Sequence, residues 1–135
     1  PRGVVELVEI FPWREGILLV DDDEWIRDSL SIFFEGEGCR IKALETAEEG
    51  LEALKTQSYD IIIVDYRLPG MDGLDFLKRI KDSTPSAMKI LITAYGSEHV
   101  VTDAKKIGIQ DLIEKPFTTK TIEASLSRLI GKHDQ

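Results

Sequence analysis

Five short apolar runs, each followed by a helix-like stretch, constrain this chain more than any other feature. The runs lie near Ile17–Val20, Arg40–Leu44, Asp60–Val64, Lys89–Thr93 and Asp111–Glu114. They are short, rich in β-branched residues and bounded by turn formers, as strands buried on both faces are. Between them, apolar residues recur at helical spacing. Ile26, Leu30, Phe33 and Phe34 fall at i, i+4, i+7 and i+8, with Asp23 placed to cap the helix and Gly36 and Gly38 to end it. A second helix over about Ala47–Thr56 buries Ala47, Leu51 and Leu54 behind a Thr46/Glu49 capping box. A third, over about Leu74–Lys81, buries Leu74, Leu77 and Ile80. A fourth starts at Ser97, buries Val100, Val101, Ala104 and Ile107, and stops at Gly108. The fifth, about Thr119–Ile130, buries Ile122, Leu126, Leu129 and Ile130.

Five βα units in series predict an α/β fold: a doubly wound parallel sheet with helices on both faces. Right-handed crossovers favour the flavodoxin-like strand order 2-1-3-4-5. Strands 1 and 3 are then neighbours whose following helices leave on opposite faces, and a crevice opens between their carboxyl ends. The chain has 135 residues, enough for one domain with a real core. Residues 16–135 carry the pattern. Residues 1–15, with Val4-Val5-Glu6-Leu7-Val8-Glu9-Ile10-Phe11 and then Pro12, stand outside it as an N-terminal extension, linker, extra strand or interface segment.

The crevice is where the chemistry points. Asp65 ends the run Ile61-Ile62-Ile63-Val64, and Asp21-Asp22-Asp23 ends Ile17-Leu18-Leu19-Val20. Carboxylates gathered in one place repel one another unless something neutralises them. Asp23 is assigned to the helix cap. Asp21, Asp22 and Asp65 suit a hard divalent cation bound through oxygen, Mg²⁺ first, with Mn²⁺ tolerated. Thr93 ends the fourth strand and Lys115 follows the fifth, and the strand order brings both to the same edge. A carboxylate nucleophile, a cation, a hydroxyl and a mobile positive charge make a phosphoryl-transfer set whose product is an aspartyl phosphate on Asp65.

These residues carry a resemblance. Leu18-Leu19-Val20-Asp21-Asp22-Asp23, Asp65 with Leu68-Pro69-Gly70-Met71-Asp72-Gly73, Ile92-Thr93-Ala94-Tyr95-Gly96 and Lys115-Pro116-Phe117 stand in the order and spacing of a bacterial two-component response-regulator receiver domain. From Gly16 to about Gly131 the chain resembles that chemotaxis-regulator-like family, a member of which is itself an example of the strand order invoked above. The resemblance implies that Asp65 is the phosphoacceptor and Asp22 a direct metal ligand. It makes Asp21 a ligand mainly through water and has the backbone carbonyl of Arg67 complete the site. It makes Thr93 the switch hydroxyl and Lys115 the phosphate-pairing lysine, and it implies a cis Lys115–Pro116 bond. Implied partners are a sensor histidine kinase or phosphotransfer protein, and a downstream protein or output domain that meets the fourth helix, fifth strand and fifth helix. Val100, Lys106, Leu112 and Lys120 are the residues expected to change there, and a phosphorylation-dependent homodimer is a further expectation. Activity beyond self-phosphotransfer and autodephosphorylation is not implied. One position departs: Leu112 stands where many members carry a Tyr or Phe switch. Arg67 and Tyr95 fall where the family rims the phosphate.

Two other readings compete. The Asp21-x-Asp23 pattern occurs in haloacid-dehalogenase-like phosphatases, where Asp21 would be the nucleophile. A degenerate receiver would act only as a binding surface. Composition narrows the partners. The net charge of −8 argues against direct contact with nucleic acid. No apolar run is long enough to span a membrane and no secretory signal pattern is present. Cys39 is expected as a small buried residue at a strand start, and a single cysteine fits a reducing cytoplasm. The chain does not begin with Met, which reads as a fragment or processed chain; a stand-alone adaptor and a piece of a longer regulator both remain open. Glu48-Glu49 and Lys105-Lys106 are expected as solvated faces, and His99 and His133 as helix-surface and tail residues. Trp25 is expected either as a partly exposed filler or as a rim of the metal pocket.

Overall fold

Residues 15–94 and 98–133 are described by a computed structural model. The elements alternate: β1 (Ile17–Val20), α1 (Glu24–Gly36), β2 (Ile41–Leu44), α2 (Ala47–Thr56), β3 (Ile61–Asp65), α3 (Gly73–Ile80), β4 (Met88–Thr93), α4 (Glu98–Ile107), β5 (Asp111–Glu114) and α5 (Thr119–His133). All pairings are parallel, in the order β2-β1-β3-β4-β5. The predicted topology is the observed one. The expected N-terminal segment lies, apart from Glu15, outside the described residues.

Strand alternation sorts the core into two layers. Ile17, Leu19, Ile61, Ile63, Ile90, Ile92 and Ile113 pack with Leu30 and Phe34 of α1 and Ile122, Leu126, Leu129 and Ile130 of α5. Leu18, Val20, Ile62, Val64 and Leu91 pack on the other face with α2, α3 and α4. The helices that follow β1 and β3 therefore leave on opposite faces, as the crevice requires.

Local capping agrees with the sequence. Asp23 accepts the backbone N–H groups of Trp25 and Ile26 at 2.9 and 3.3 Å. Thr46 and Glu49 form the reciprocal capping box at α2. Gly38, at φ +82°, carries the chain out of α1 in a conformation that costs other residues more.

Several boundaries and burials differ. Asp60 stands just before β3, and its carboxylate takes the N–H groups of Glu15 and Gly16 at 2.9 and 2.8 Å, tying the entry of β1. Arg40 lies outside β2, and Met88 joins β4. The third helix begins one residue early, at Gly73, and its inner face also buries Phe76. The start expected for α4, Ser97, falls outside the described residues, and α5 runs on to His133. In α2 the inward residues are Ala47, Gly50 and Ala53, while Leu51 and Leu54 are half-buried. The reason is close helix contact: a Cβ on Gly50 would lie 3.0 Å from the Phe76 ring. Val101 is likewise half-buried. Cys39 is buried as expected, just ahead of β2.

Candidate functional site

The carboxyl edge of the sheet brings together the residues expected there. In β3, Ile61 and Ile63 face the α1/α5 layer, and Asp65 is next in that alternation. Asp21 follows β1 and Lys115 follows β5. Asp21 is fully buried and Asp65 is 4% exposed, while Asp22 is open to solvent. Lys115 Nζ donates to Asp65 Oδ2 at 3.0 Å and stands 3.4 Å from Asp21 Oδ2. Thr93 is buried at the end of β4, and its carbonyl accepts the Lys115 backbone N–H at 2.8 Å. The Lys115–Pro116 bond is cis, as the resemblance implied.

The electrostatics are those of an acidic site short of positive charge. Burial pushes the Asp21 carboxyl up to about 6; the Asp23 N–H, 2.9 Å from its Oδ1, works against this, and the nearby Asp65 charge adds to it. Burial also raises Asp65, opposed by Lys115 and by the N–H of Arg67 and reinforced by Asp22. Burial alone would lower Lys115, but the Asp65 hydrogen bond and the two carboxylate charges hold it above the ordinary lysine value. Asp21 Oδ2 is buried, and its one positive neighbour among the described residues is the Lys115 ammonium, 3.4 Å away and shared with Asp65, too poorly aligned to count as a hydrogen bond. A buried anionic oxygen without a donor is costly.

A cation would repair that deficit. One carboxylate oxygen from each of Asp21, Asp22 and Asp65 lies within 4.8 Å of the others. The donors are all oxygen, and Asp22 is open to water, which suits a hard ion that keeps part of its hydration shell. Asp22, Tyr66, Arg67, Leu68, Pro69 and Asp72 line the adjoining depression. The fit to a divalent metal is therefore good on orphaned charge, donor chemistry and access.

The chain leading out of Asp65 is tightly placed. Tyr66 N–H donates to the Ile92 carbonyl at 2.7 Å, and Gly73 N–H returns to the Tyr66 carbonyl at 2.8 Å. A Cβ on Gly73 would stand 2.3 Å from the Asp65 carbonyl oxygen, so only glycine permits α3 to start this close to the acidic edge.

Trp25 is neither filler nor a wall of the Asp22 depression. It is 79% exposed and lines a separate groove with Asp23, Ile26, Ala94, Lys115, Pro116 and Phe117. His99 is exposed on α4, and Tyr95 lies outside the described residues. Val100, expected on the buried side of α4 and also among the residues that change, is buried against the α2/α3/α4 layer; Lys106 and Lys120 are exposed and Leu112 is half-buried.

Two contacts that border the site are not legible in the sequence analysis. Arg27 Nη1 donates to the Asp21 carbonyl at 2.8 Å, and Glu48 Oε2 accepts the Met71 N–H at 3.1 Å. Glu48 is thus more than part of a solvated face. The position of Arg27, one helical turn after Asp23, was a usable signal; nothing near Glu48 in the sequence announces a partner 23 residues away.

The family model for the response regulator receiver domain matches residues 17–127. The chain belongs to that family. This receiver domain is 32% identical over 114 residues to the transcriptional regulatory protein FixJ of Bradyrhizobium diazoefficiens, covering 84% of this chain and 56% of that protein. It is 30% identical over 117 residues to sporulation initiation phosphotransferase F of Bacillus subtilis, covering 87% of this chain and 94% of that protein. Among solved structures, it resembles a CheY-like receiver domain protein from Methanospirillum hungatei with a TM-score of 0.82 and 28% identity, over 87% of this chain and 94% of that one. The receiver domain thus spans about half the length of FixJ. Membership in a phosphoacceptor signalling family of two-component systems sets aside the phosphatase reading built on Asp21. Among the described residues no helix is long and apolar enough to cross a membrane.

Proposed function

We propose that Asp65 accepts a phosphoryl group from a phosphohistidine of a sensor kinase or phosphotransfer protein, and that the product changes a protein-binding surface. The observation that carries this is the strand-end Asp65 carboxylate held by Lys115 beside the orphaned oxygen of Asp21. In the step, an Asp65 carboxylate oxygen forms a bond to phosphorus. The bond from phosphorus to the imidazole nitrogen breaks and its electron pair stays on that nitrogen; because the other ring nitrogen carries a proton, the leaving group is neutral imidazole. Burial, which raises the Asp65 carboxyl, works against the ionised nucleophile; Lys115 and the Arg67 N–H work for it.

Asp21, Asp22, Asp65 and the Arg67 carbonyl would hold Mg²⁺, with Mn²⁺ tolerated, and the ion would neutralise phosphoryl oxygens as charge gathers on them. Lys115, 3.0 Å from Asp65 Oδ2, can transfer its hydrogen bond to a new phosphoryl oxygen with little movement. Thr93 would offer its hydroxyl to another. Arg67, exposed at the edge of the depression, would screen the acyl phosphate from water; Tyr95 is assigned the same part. Hydrolysis by water ends the signal, so the only catalysis assigned is self-phosphotransfer and autodephosphorylation.

The response is assigned to the face built from α4, β5 and α5, with a partner protein, an output domain or a second copy as the reader. The unit assigned to this work is residues 16–135, acting in the cytoplasm without direct contact to nucleic acid.

Intact mass after treatment with acetyl phosphate and Mg²⁺ tests this reading. One phosphate should add to the wild type and to Asp21→Asn held at high Mg²⁺, and none to Asp65→Asn. An adduct that persists in Asp65→Asn removes Asp65 as acceptor. An adduct lost only in Asp21→Asn restores the phosphatase chemistry. Full absence of an adduct in the wild type favours a receiver that serves only as a binding surface.

A further inference from the structure

We propose that Glu48, on the first turn of α2, is a positioning residue for the cation site: it fixes the loop that walls the Asp22 depression. The inference rests on the metal site assigned above and adds a residue from a different helix to it.

The loop runs from Tyr66 to Asp72. Its ends are fixed by backbone, through Tyr66 to Ile92 and Gly73 to Tyr66. Those bonds leave the middle of the loop to be held by other means. Glu48 supplies one: its Oε2 accepts the Met71 N–H at 3.1 Å. The neighbouring residue confirms how closely the loop passes. Gly70 has φ +77°, and a Cβ there would lie 2.8 Å from Glu48 Oε2. The backbone bends sharply beneath the carboxylate, and glycine makes both the bend and the approach available.

What this pin holds is the wall of the cation depression. Tyr66, Arg67, Leu68, Pro69 and Asp72 line it opposite Asp22. Arg67 contributes its backbone twice in this arrangement: its N–H to Asp65, and its carbonyl as the assigned ligand. A backbone ligand cannot be adjusted by rotamer, so its position depends on the loop as a whole. Groups that orient a metal ligand without touching the metal contribute to affinity in this way. Glu48 does so from outside the acidic cluster, which is why it can hold the loop without adding another ligand.

Charge and hydrogen bonding are separable here. Glu48→Gln keeps an oxygen acceptor of the same reach and loses the charge. Glu48→Ala loses both. Glu48 is exposed on a helix surface, so both variants should fold.

The experiment uses two readouts. The first is Met71 amide hydrogen exchange in metal-free protein, which reports the hydrogen bond without reference to the cation. The second is titration with Mg²⁺ alone, followed by the rate of acetyl phosphate labelling at limiting and saturating Mg²⁺. Glu48→Ala should speed Met71 exchange and weaken Mg²⁺ binding by about tenfold, the low end for loss of such a group because Glu48 is exposed. Its labelling rate at saturating Mg²⁺ should match the wild type. Glu48→Gln should stay close to the wild type in every readout. Equal Mg²⁺ affinity in Glu48→Ala and wild type overturns the proposal, as does a Glu48→Gln defect as large as that of alanine, which would make bare charge the cause. Fast Met71 exchange already in the wild type overturns it too. A wild type that binds no Mg²⁺ while protecting Met71 removes the cation site itself and the positioning role with it.

Discussion

Lys115 Nζ lies 3.0 Å from Asp65 Oδ2 and 3.4 Å from Asp21 Oδ2, so one ammonium from the end of β5 serves two buried carboxylates from β1 and β3. The arrangement is a cross-brace over three strands. Removing one member of a buried charge group typically costs about 3–5 kcal/mol because the remaining charges lose compensation. Lys115→Met should therefore destabilise the metal-free protein at pH 7.5 by roughly 3 kcal/mol. Asp21 and Asp65 are raised, so acid should relieve the loss by protonating them. Urea unfolding of both proteins at pH 7.5 and pH 5 checks this. A penalty that stays constant between the two would show that Lys115 acts through packing instead.

Asp21 should make the metal-free protein less stable as pH rises. Its carboxyl titrates at about 6 in the fold against 3.8 as a free side chain. The folded state binds the proton more tightly, so the Asp21 contribution is fully present below the unfolded value and is lost as pH rises through about 6. The shift corresponds to about 3 kcal/mol at neutral pH. Asp21→Asn keeps an acceptor for the Asp23 N–H and cannot ionise. It should be more stable than the wild type at pH 7.5 in chelator, by up to that amount, and the advantage should vanish near pH 4. Paired unfolding curves across this range measure it; a difference independent of pH would contradict the titration.

Metal should reverse the sign of the acidic cluster's effect. Binding to the folded state alone stabilises by mass action, about 2.7 kcal/mol at a concentration 100 times Kd. Millimolar Mg²⁺ should raise the melting temperature of the wild type. Asp22→Ala should abolish that rise, while Asp23→Ala should keep it and start from a lower melting temperature, since Asp23 caps α1. Loss of such a cap costs about 1 kcal/mol. Trp25 fluorescence, from the groove beside Lys115, offers a second reading of the same titration.

The switch should depend on Thr93 more than on Leu112. An aspartyl phosphate brings about −1.5 to −2 charges and new acceptor oxygens to the edge. Thr93 is buried at the end of β4, directly before the connection to α4. Leu112 pairs with Leu91 in the sheet and packs at the margin of the α2/α3/α4 layer, with no ring to swing and no hydroxyl to bond. Thr93→Ala should leave labelling of Asp65 intact and suppress the change in α4. Leu112→Ala should chiefly cost stability, about 1–3 kcal/mol for a half-buried leucine. Hydrogen exchange with and without beryllofluoride decides it: protection changes in α4 that persist in Thr93→Ala would place the coupling elsewhere.

The order of elements, the strand topology and the acidic edge are legible in the amino-acid sequence. Apolar runs of strand length between helical periodicities admit few arrangements; crossover handedness favours the order 2-1-3-4-5, and the receiver-family resemblance carried by the motifs selects it. Once β1 and β3 are neighbours, Asp21, Asp22 and Asp65 must meet, and the ends of β4 and β5 bring Thr93 and Lys115 to the same edge. Tertiary structure alone decided the finer points, because they depend on distances between segments far apart in the chain. Gly50 of α2 faces inward where the Phe76 ring leaves no room for a side chain. Val101, Leu51 and Leu54 stay half-buried, and Trp25 stays in solvent beside Lys115. Glu48, in a charged pair that reads as surface, reaches across to Met71 because α2 packs beside the start of α3. Periodicity records which face of an element is apolar; it does not record how near the neighbouring element comes, and that nearness is what sets these contacts.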